Sequence, residues 1–290
     1  DQPQAPSLFG GRSQSAAPLT ELTVSSVVAV LEEQGEGQIA EFSDDLIQRE
    51  TDVFQVAFSR SGGNIASLRL KDHLDVDGNP VQLVHHPEDG TEYLAVSFGG
   101  VETAPTDDAF SFREIDASTW EFSRDFVATD GTPFRLTKTY HFDLEYLFEL
   151  RIRIENSSNA VPDLDFDGVS YTLSIAPQLG PDYERLDRRN EYREYMRYYP
   201  EGSRKKQRLR NELIVEERRV RWTSIVGKYF TLVVIPDESD YQITYDGRTD
   251  PEIDRRTALF LGRPIITSAT ETDVFRIYAG PKDRSTLTRY

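Results

Sequence analysis

The chain has 290 residues, no cysteine and a formal net charge of −17. That length suits one large domain, which buries enough surface to stand without staples; the missing thiols exclude disulfides and thiolate metal sites but leave the compartment open. The acidity repels nucleic acid and anionic lipid on average, and no apolar stretch approaches the roughly 18 residues of a membrane span.

Residues 1–20 are rich in Gln, Pro, Ser, Ala and Gly. They hold too little apolar surface to offset ordering, so a flexible tether is expected over 1–45. Within it Leu22 to Leu31 has the composition of a strand, and Gln34 to Gln38 is linker-like. From Leu46 the pattern becomes period-two. Phe54, Val56 and Phe58 alternate with Gln55 and Ala57, and Ala66, Leu68 and Leu70 lie opposite Ser67 and Arg69. The Ser59–Gly63 stretch between them supplies glycine for φ > 0, which predicts a hairpin.

Trp120 to Phe126 predicts the next clear strand. Phe134, Leu136, Tyr140 and Phe142 then share a face, and so do Tyr146, Phe148, Leu150, Ile152 and Ile154. Asp143-Leu144-Glu145 is the expected turn between them. Alternation this regular predicts antiparallel strands with one wet face. Lys138 falls by parity on the apolar face. Such a lysine is either a nucleophile of shifted pKa or a packed stem whose ammonium reaches solvent or a carboxylate. The second reading is the plainer one.

Further strands are expected at Val169–Ile175, Tyr241–Tyr245, Ala258–Leu261 and Val274–Ala279. Tyr229 to Ile235 is apolar on both faces, as a central strand would be. Pro281 suits the first turn of a short C-terminal helix. Many short strands separated by Gly, Pro and Asp turns predict an all-β sandwich or barrel.

Between Arg185 and Arg221 stand thirteen Lys/Arg against seven Asp/Glu, a net of +6, so the rest of the chain carries −23. The plain reading is a strand pair turning at Pro200-Glu201-Gly202-Ser203 and paired against the acidic remainder. The functional reading is a contact surface. Arg188, Arg189, Arg193, Arg197, Arg204, Lys205, Lys206, Arg208 and Arg210, interleaved with tyrosines, suit lipid headgroups or an acidic partner. No nucleic-acid partner is expected.

His73, His85, His86 and His141 are the candidates for acid–base chemistry. All are read as solvated or turn histidines. Adjacent residues of a strand face opposite ways, so His85-His86 is not expected to chelate a metal. Trp120 and Trp222 are read as core residues rather than sugar platforms.

The Asp52–Ser59 strand followed by Gly62-Gly63-Asn64-Ile65 and Ser67–Lys71 resembles the opening hairpin of the large periplasmic domain of YidC-type insertases. Lys138-Thr139-Tyr140 with the strand ending at Asn156, Trp222 with Lys228-Tyr229-Phe230 and Ile235-Pro236, and Tyr278 to Asp283 resemble its later motifs in the same order. The resemblance implies an antiparallel β-supersandwich of the galactose-mutarotase-like kind over 46–280. It also implies a preceding membrane helix joined by 1–45, and 281–290 leading toward a membrane core. It implies a non-catalytic accessory role at the periplasmic face of the bacterial inner membrane, with no cofactor or metal. Contacts with the Sec translocon, SecDF and nascent membrane proteins are implied too. The competing expectation is a mutarotase-like protein that binds or acts on carbohydrate. A chaperone-like binder of unfolded segments is a third.

Overall fold

In the computed structural model the described residues are 28–29, 46–84, 93–176, 179, 193–208, 211–237, 240–248 and 258–283. In chain order the strands are β1 (Val28–Ala29), β2 (Ile47–Glu50), β3 (Phe54–Phe58), β4 (Ile65–Leu74), β5 (Pro80–Gln82), β6 (Ala95–Ser97), β7 (Ser111–Asp116), β8 (Thr119–Val127), β9 (Pro133–Leu144) and β10 (Leu147–Glu155). They continue with β11 (Val169–Ile175), β12 (Glu194–Tyr198), β13 (Arg204–Arg208), β14 (Leu213–Glu216), β15 (Trp222–Val226), β16 (Phe230–Pro236), β17 (Gln242–Asp246), β18 (Ala258–Pro264) and β19 (Thr270–Pro281). No helix occurs among the described residues.

A ten-stranded antiparallel sheet runs β1-β8-β9-β10-β19-β16-β15-β12-β13, with β7 also paired to β8. A four-stranded sheet, β2-β3-β4-β5, and a five-stranded sheet, β14-β17-β18-β11-β6, complete the sandwich. The four-stranded sheet meets the large one through aromatic rings. Phe54 packs edge-on against Phe142 and Phe148, and Phe58 against Trp120. The five-stranded sheet meets it where Tyr245 lies on Tyr195. Each of these aromatic side chains, buried whole, stabilises the domain by roughly 1.5–3 kcal/mol.

The expected alternation is present. Phe134, Leu136, Lys138, Tyr140 and Phe142 are buried on β9, and Phe148, Leu150, Ile152 and Ile154 on β10, while Arg151 and Arg153 are exposed. β16 is central, hydrogen-bonded to both β15 and β19. The β9–β10 turn differs from expectation. Asp143 and Leu144 continue the strand, Leu144 pairs with Leu147, and the chain reverses in Glu145 and Tyr146. A two-residue hairpin loop matches the strand twist but needs φ > 0, and Glu145 supplies it at φ 35°. Tyr146, released from the return strand, packs edge-on against Phe54. A second correction concerns Pro281, which closes β19 opposite Phe230 instead of opening a helix; a helix beyond it would lie outside the described residues.

The β3–β4 hairpin turns through Gly62 and Gly63, at φ 61° and 60°. A Cβ on Gly63 would stand 2.6 Å from Cβ of Phe122. Glycine is thus required twice over there, by backbone conformation and by close approach of β8.

Candidate functional site

In the described part of the basic segment the expected strand pair is present. β12 and β13 form a hairpin, Tyr198 opposite Arg204 and Glu194 opposite Arg208. Its loop is closed by Tyr199 N–H to the Ser203 carbonyl at 2.9 Å, and Gly202 takes φ 93°. β13 is the sheet edge, and exposed Arg and Lys on an edge discourage strand addition. Arg204, Lys205, Lys206 and Arg208 are all exposed. Arg188, Arg189 and Arg210 lie outside the described residues.

Arg193 and Arg197 require a correction, since both are buried and neither belongs to an exposed strip. Arg197 shares the inward face of β12 with Tyr195. Its Nε lies 2.5 Å from Glu216 of β14, itself nearly buried. Tyr199 bridges the pair, accepting from Arg197 Nε at 3.2 Å and donating to Glu216 at 3.0 Å. The guanidinium carbon sits 5.2 Å from the Tyr245 ring centroid. Burial pushes the Tyr245 phenol up to about 12. This network pins the large sheet to the five-stranded one.

Two more buried charges do comparable work. Asp273 of β19 accepts from Tyr171 Oη at 2.5 Å and from Arg263 Nε at 2.8 and 2.9 Å. Burial raises its carboxyl above the ordinary range. Lys138 is fully buried. It donates to Asn64 Oδ1 at 2.5 Å, the Leu94 carbonyl at 2.8 Å and the Gly62 carbonyl at 3.0 Å. Neither sequence-level reading of Lys138 describes this. The ammonium stays inside, its three hydrogens matched by three oxygens from the β3–β4 turn and the segment before β6. Arg197 was read as surface and Asp273 was not singled out, yet a signal existed: each stands at apolar parity, Arg197 beside Tyr195 and Asp273 in line with Phe275 and Ile277.

The two described histidines have different neighbours. His73 is half-buried between the Tyr146 and Phe230 rings, and His141 Nδ1 lies 2.8 Å from Thr119 Oγ1. His85 and His86 lie outside the described residues. Trp120 is a core residue, packed on Phe58 and Phe142. Trp222 is half-buried, stacked on Tyr198 with ring centroids 5.6 Å apart. A cleft of about 510 Å³ opens beside the β8–β9 turn, lined by Phe126, Phe134, Arg135 and Glu155 among others. Arg135 is held there by two 2.7 Å bonds to Asp125.

The YidC periplasmic domain family matches residues 46–290. The chain belongs to that family. Two proteins named Membrane protein insertase YidC are each 28% identical, with 83% of the chain covered, one from Treponema denticola and one from Treponema pallidum. The chain spans 43–45% of their length. Among solved structures, a galactose mutarotase-like protein from Lactobacillus casei superposes with a TM-score of 0.54 at 10% identity, covering 81% of this chain and 99% of its own. Galactose 1-epimerase from Lactobacillus acidophilus gives 0.53 at 10% identity, covering 89% and 98%. At such identity the likeness is one of fold. It bears out the galactose-mutarotase-like supersandwich expected for the YidC periplasmic domain family.

Proposed function

We propose that this chain is the periplasmic domain of a YidC-type membrane protein insertase, serving as a non-catalytic accessory at the periplasmic face of the inner membrane. The observation that carries the reading is the family match, which takes in every strand of the sandwich except β1. In this reading residues 1–45 are a tether, of which Val28–Ala29 pairs with β8 at the edge of the large sheet, 46–280 the body and 281–290 the connection to a membrane core. The interior supports a scaffold role. Its buried charges, Lys138, Arg197 with Glu216 and Asp273 with Arg263, are engaged in joining sheets and turns rather than aimed at an open cleft. The expected partners are Sec translocon and SecDF components and nascent membrane proteins.

The test is site-specific photo-crosslinking in the full-length protein, with the probe at exposed positions such as Val76, Lys205 and Leu213. Adducts to translocon subunits or to nascent membrane proteins are expected. A parallel titration with a monosaccharide panel should leave tryptophan emission unchanged. Saturable quenching by one sugar, with no adducts, would transfer the chain to the carbohydrate reading.

A further inference from the structure

The outward face of the ten-stranded sheet carries a row of side chains that its β13 edge alone does not reveal. Arg204 stands opposite Tyr198, and Tyr198 opposite Trp222. Continuing the β15–β16 ladder by one residue sets Ile235 opposite Trp222, and Ile235 pairs with Arg276. These five residues cross β13, β12, β15, β16 and β19 in one line. Residues opposite each other in adjacent strands point to the same face. The middle three are half-buried and the two arginines at the ends are exposed. Neither Arg204 nor Arg276 makes an ion pair among the described residues.

The surroundings share this character. Met196 and Val233 extend the half-buried apolar centre on the same face. On its flank the carboxylate of Glu194 faces two cations, bonded to Lys206 and 4.0 Å from Arg208; at the other end Glu149 of β10 stands opposite Arg276, its carboxylate bonded to Arg151 at 2.6 Å. Lys282 lies near enough to Lys206 and Glu194 to feel both, and it donates to the Gly227 carbonyl at 2.7 Å. Lys282, near the last of the described residues, thus adds a further cation to this flank.

We propose that this face docks on an anionic lipid bilayer, with Trp222 and Tyr198 at the headgroup level and Arg204 and Arg276 on phosphates. An amphipathic aromatic pair between guanidinium groups suits the membrane–water interface, and arginine binds phosphate through two parallel hydrogen bonds. The acidic remainder of the domain does not forbid it. At about 0.1 M salt, charges more than roughly 10 Å away are largely screened, so the nearest charges decide. The inference rests on the periplasmic reading for its choice of a bilayer over an acidic polypeptide.

The test uses the whole 290-residue chain with vesicles of phosphatidylglycerol and phosphatidylcholine. Each arginine at such a surface is worth about 1 kcal/mol, or about fivefold in partitioning. R204Q/R276Q should then bind about twenty-five-fold more weakly, with unchanged thermal stability because both groups are exposed and unpaired. Brominated lipid should quench Trp222, while Trp120, 1% exposed, stays unquenched in a W222F variant. Wild-type affinity in R204Q/R276Q, or binding without Trp222 quenching, overturns the assignment. So does preference for polyglutamate over vesicles, which would give the face to an acidic protein. Vesicle binding is read without reference to insertase partners, so failure of the crosslinking test leaves this result intact, and the reverse holds.

Discussion

Replacing Lys138 by methionine keeps most of the buried stem and removes the ammonium. Three oxygens then lose their donor: the Gly62 and Leu94 carbonyls and Asn64 Oδ1. A buried acceptor left unmatched costs about 1–3 kcal/mol. Three would cost up to roughly 9 kcal/mol if nothing relaxed. Two effects reduce that. The Asn64 side chain rotates, and the desolvation of the ammonium, several kcal/mol, is recovered. The expected loss is therefore about 3–5 kcal/mol, as for breaking other buried charged contacts. In a domain of this size it lowers Tm by roughly 6–20 °C, at about 2–4 °C per kcal/mol. Denaturant unfolding of K138M in a W222F background reads it, because Trp120 then reports alone from beside Phe58. K138M/N64L should lose less than the sum of its single changes, since both ends of one contact are gone. A loss below about 1 kcal/mol in K138M would refute the view that this ammonium clamps the β3–β4 turn to β9 and the segment before β6.

Three further outcomes are expected. Gly63→Ala should cost at least about 2–3 kcal/mol more than Gly78→Ala in the same unfolding assay. Both sit at positive φ, but only the Gly63 Cβ would strike Phe122, while that of Gly78 meets open space. Glu216→Ala, which strands buried Arg197, should cost about 3–5 kcal/mol, against about 0–1 kcal/mol for Asp125→Asn in the half-exposed, solvent-screened pair with Arg135; equal losses would deny the inter-sheet network its role. Asp273 gives a pH signature. Burial raises its folded pKa above the unfolded value of about 3.9, so its stabilising contribution is whole below that value and lost as pH rises through the folded pKa. Wild-type stability minus that of D273N should fall over this window in urea titrations at successive pH values; a rising difference would contradict the sign.

Much of the sandwich was legible because half-buried antiparallel strands write their pleat into the chain. Phe134 to Phe142 and Phe148 to Ile154 keep their parity from sequence to structure, and Val169–Ile175 keeps its ends as well. The β9–β10 turn was less legible. Nothing about Glu145 as a residue type announces left-handed backbone; the demand arises from the strand twist on either side. The basic segment was legible as a hairpin but not as a surface, because charge counting treats every arginine alike. Parity would have divided it, since Arg197 sits between two tyrosines on the face of β12 that meets β14 and β17.

The period-two pattern, the hairpins, the central place of β16 and the family were readable along the chain, since all of these depend on neighbours in sequence or on short motifs in order. Which charges are interior depends on how the sheets pack. Lys138, Arg197 and Asp273 find their partners 74, 19 and 102 residues away, at Asn64, Glu216 and Tyr171. The row of Arg204, Tyr198, Trp222, Ile235 and Arg276 depends on tertiary structure too, because sheet order places β13, β12, β15, β16 and β19 side by side. Burial of a charge is stable only when the fold delivers a counter-group to it, and that delivery is a property of how the three sheets close on one another.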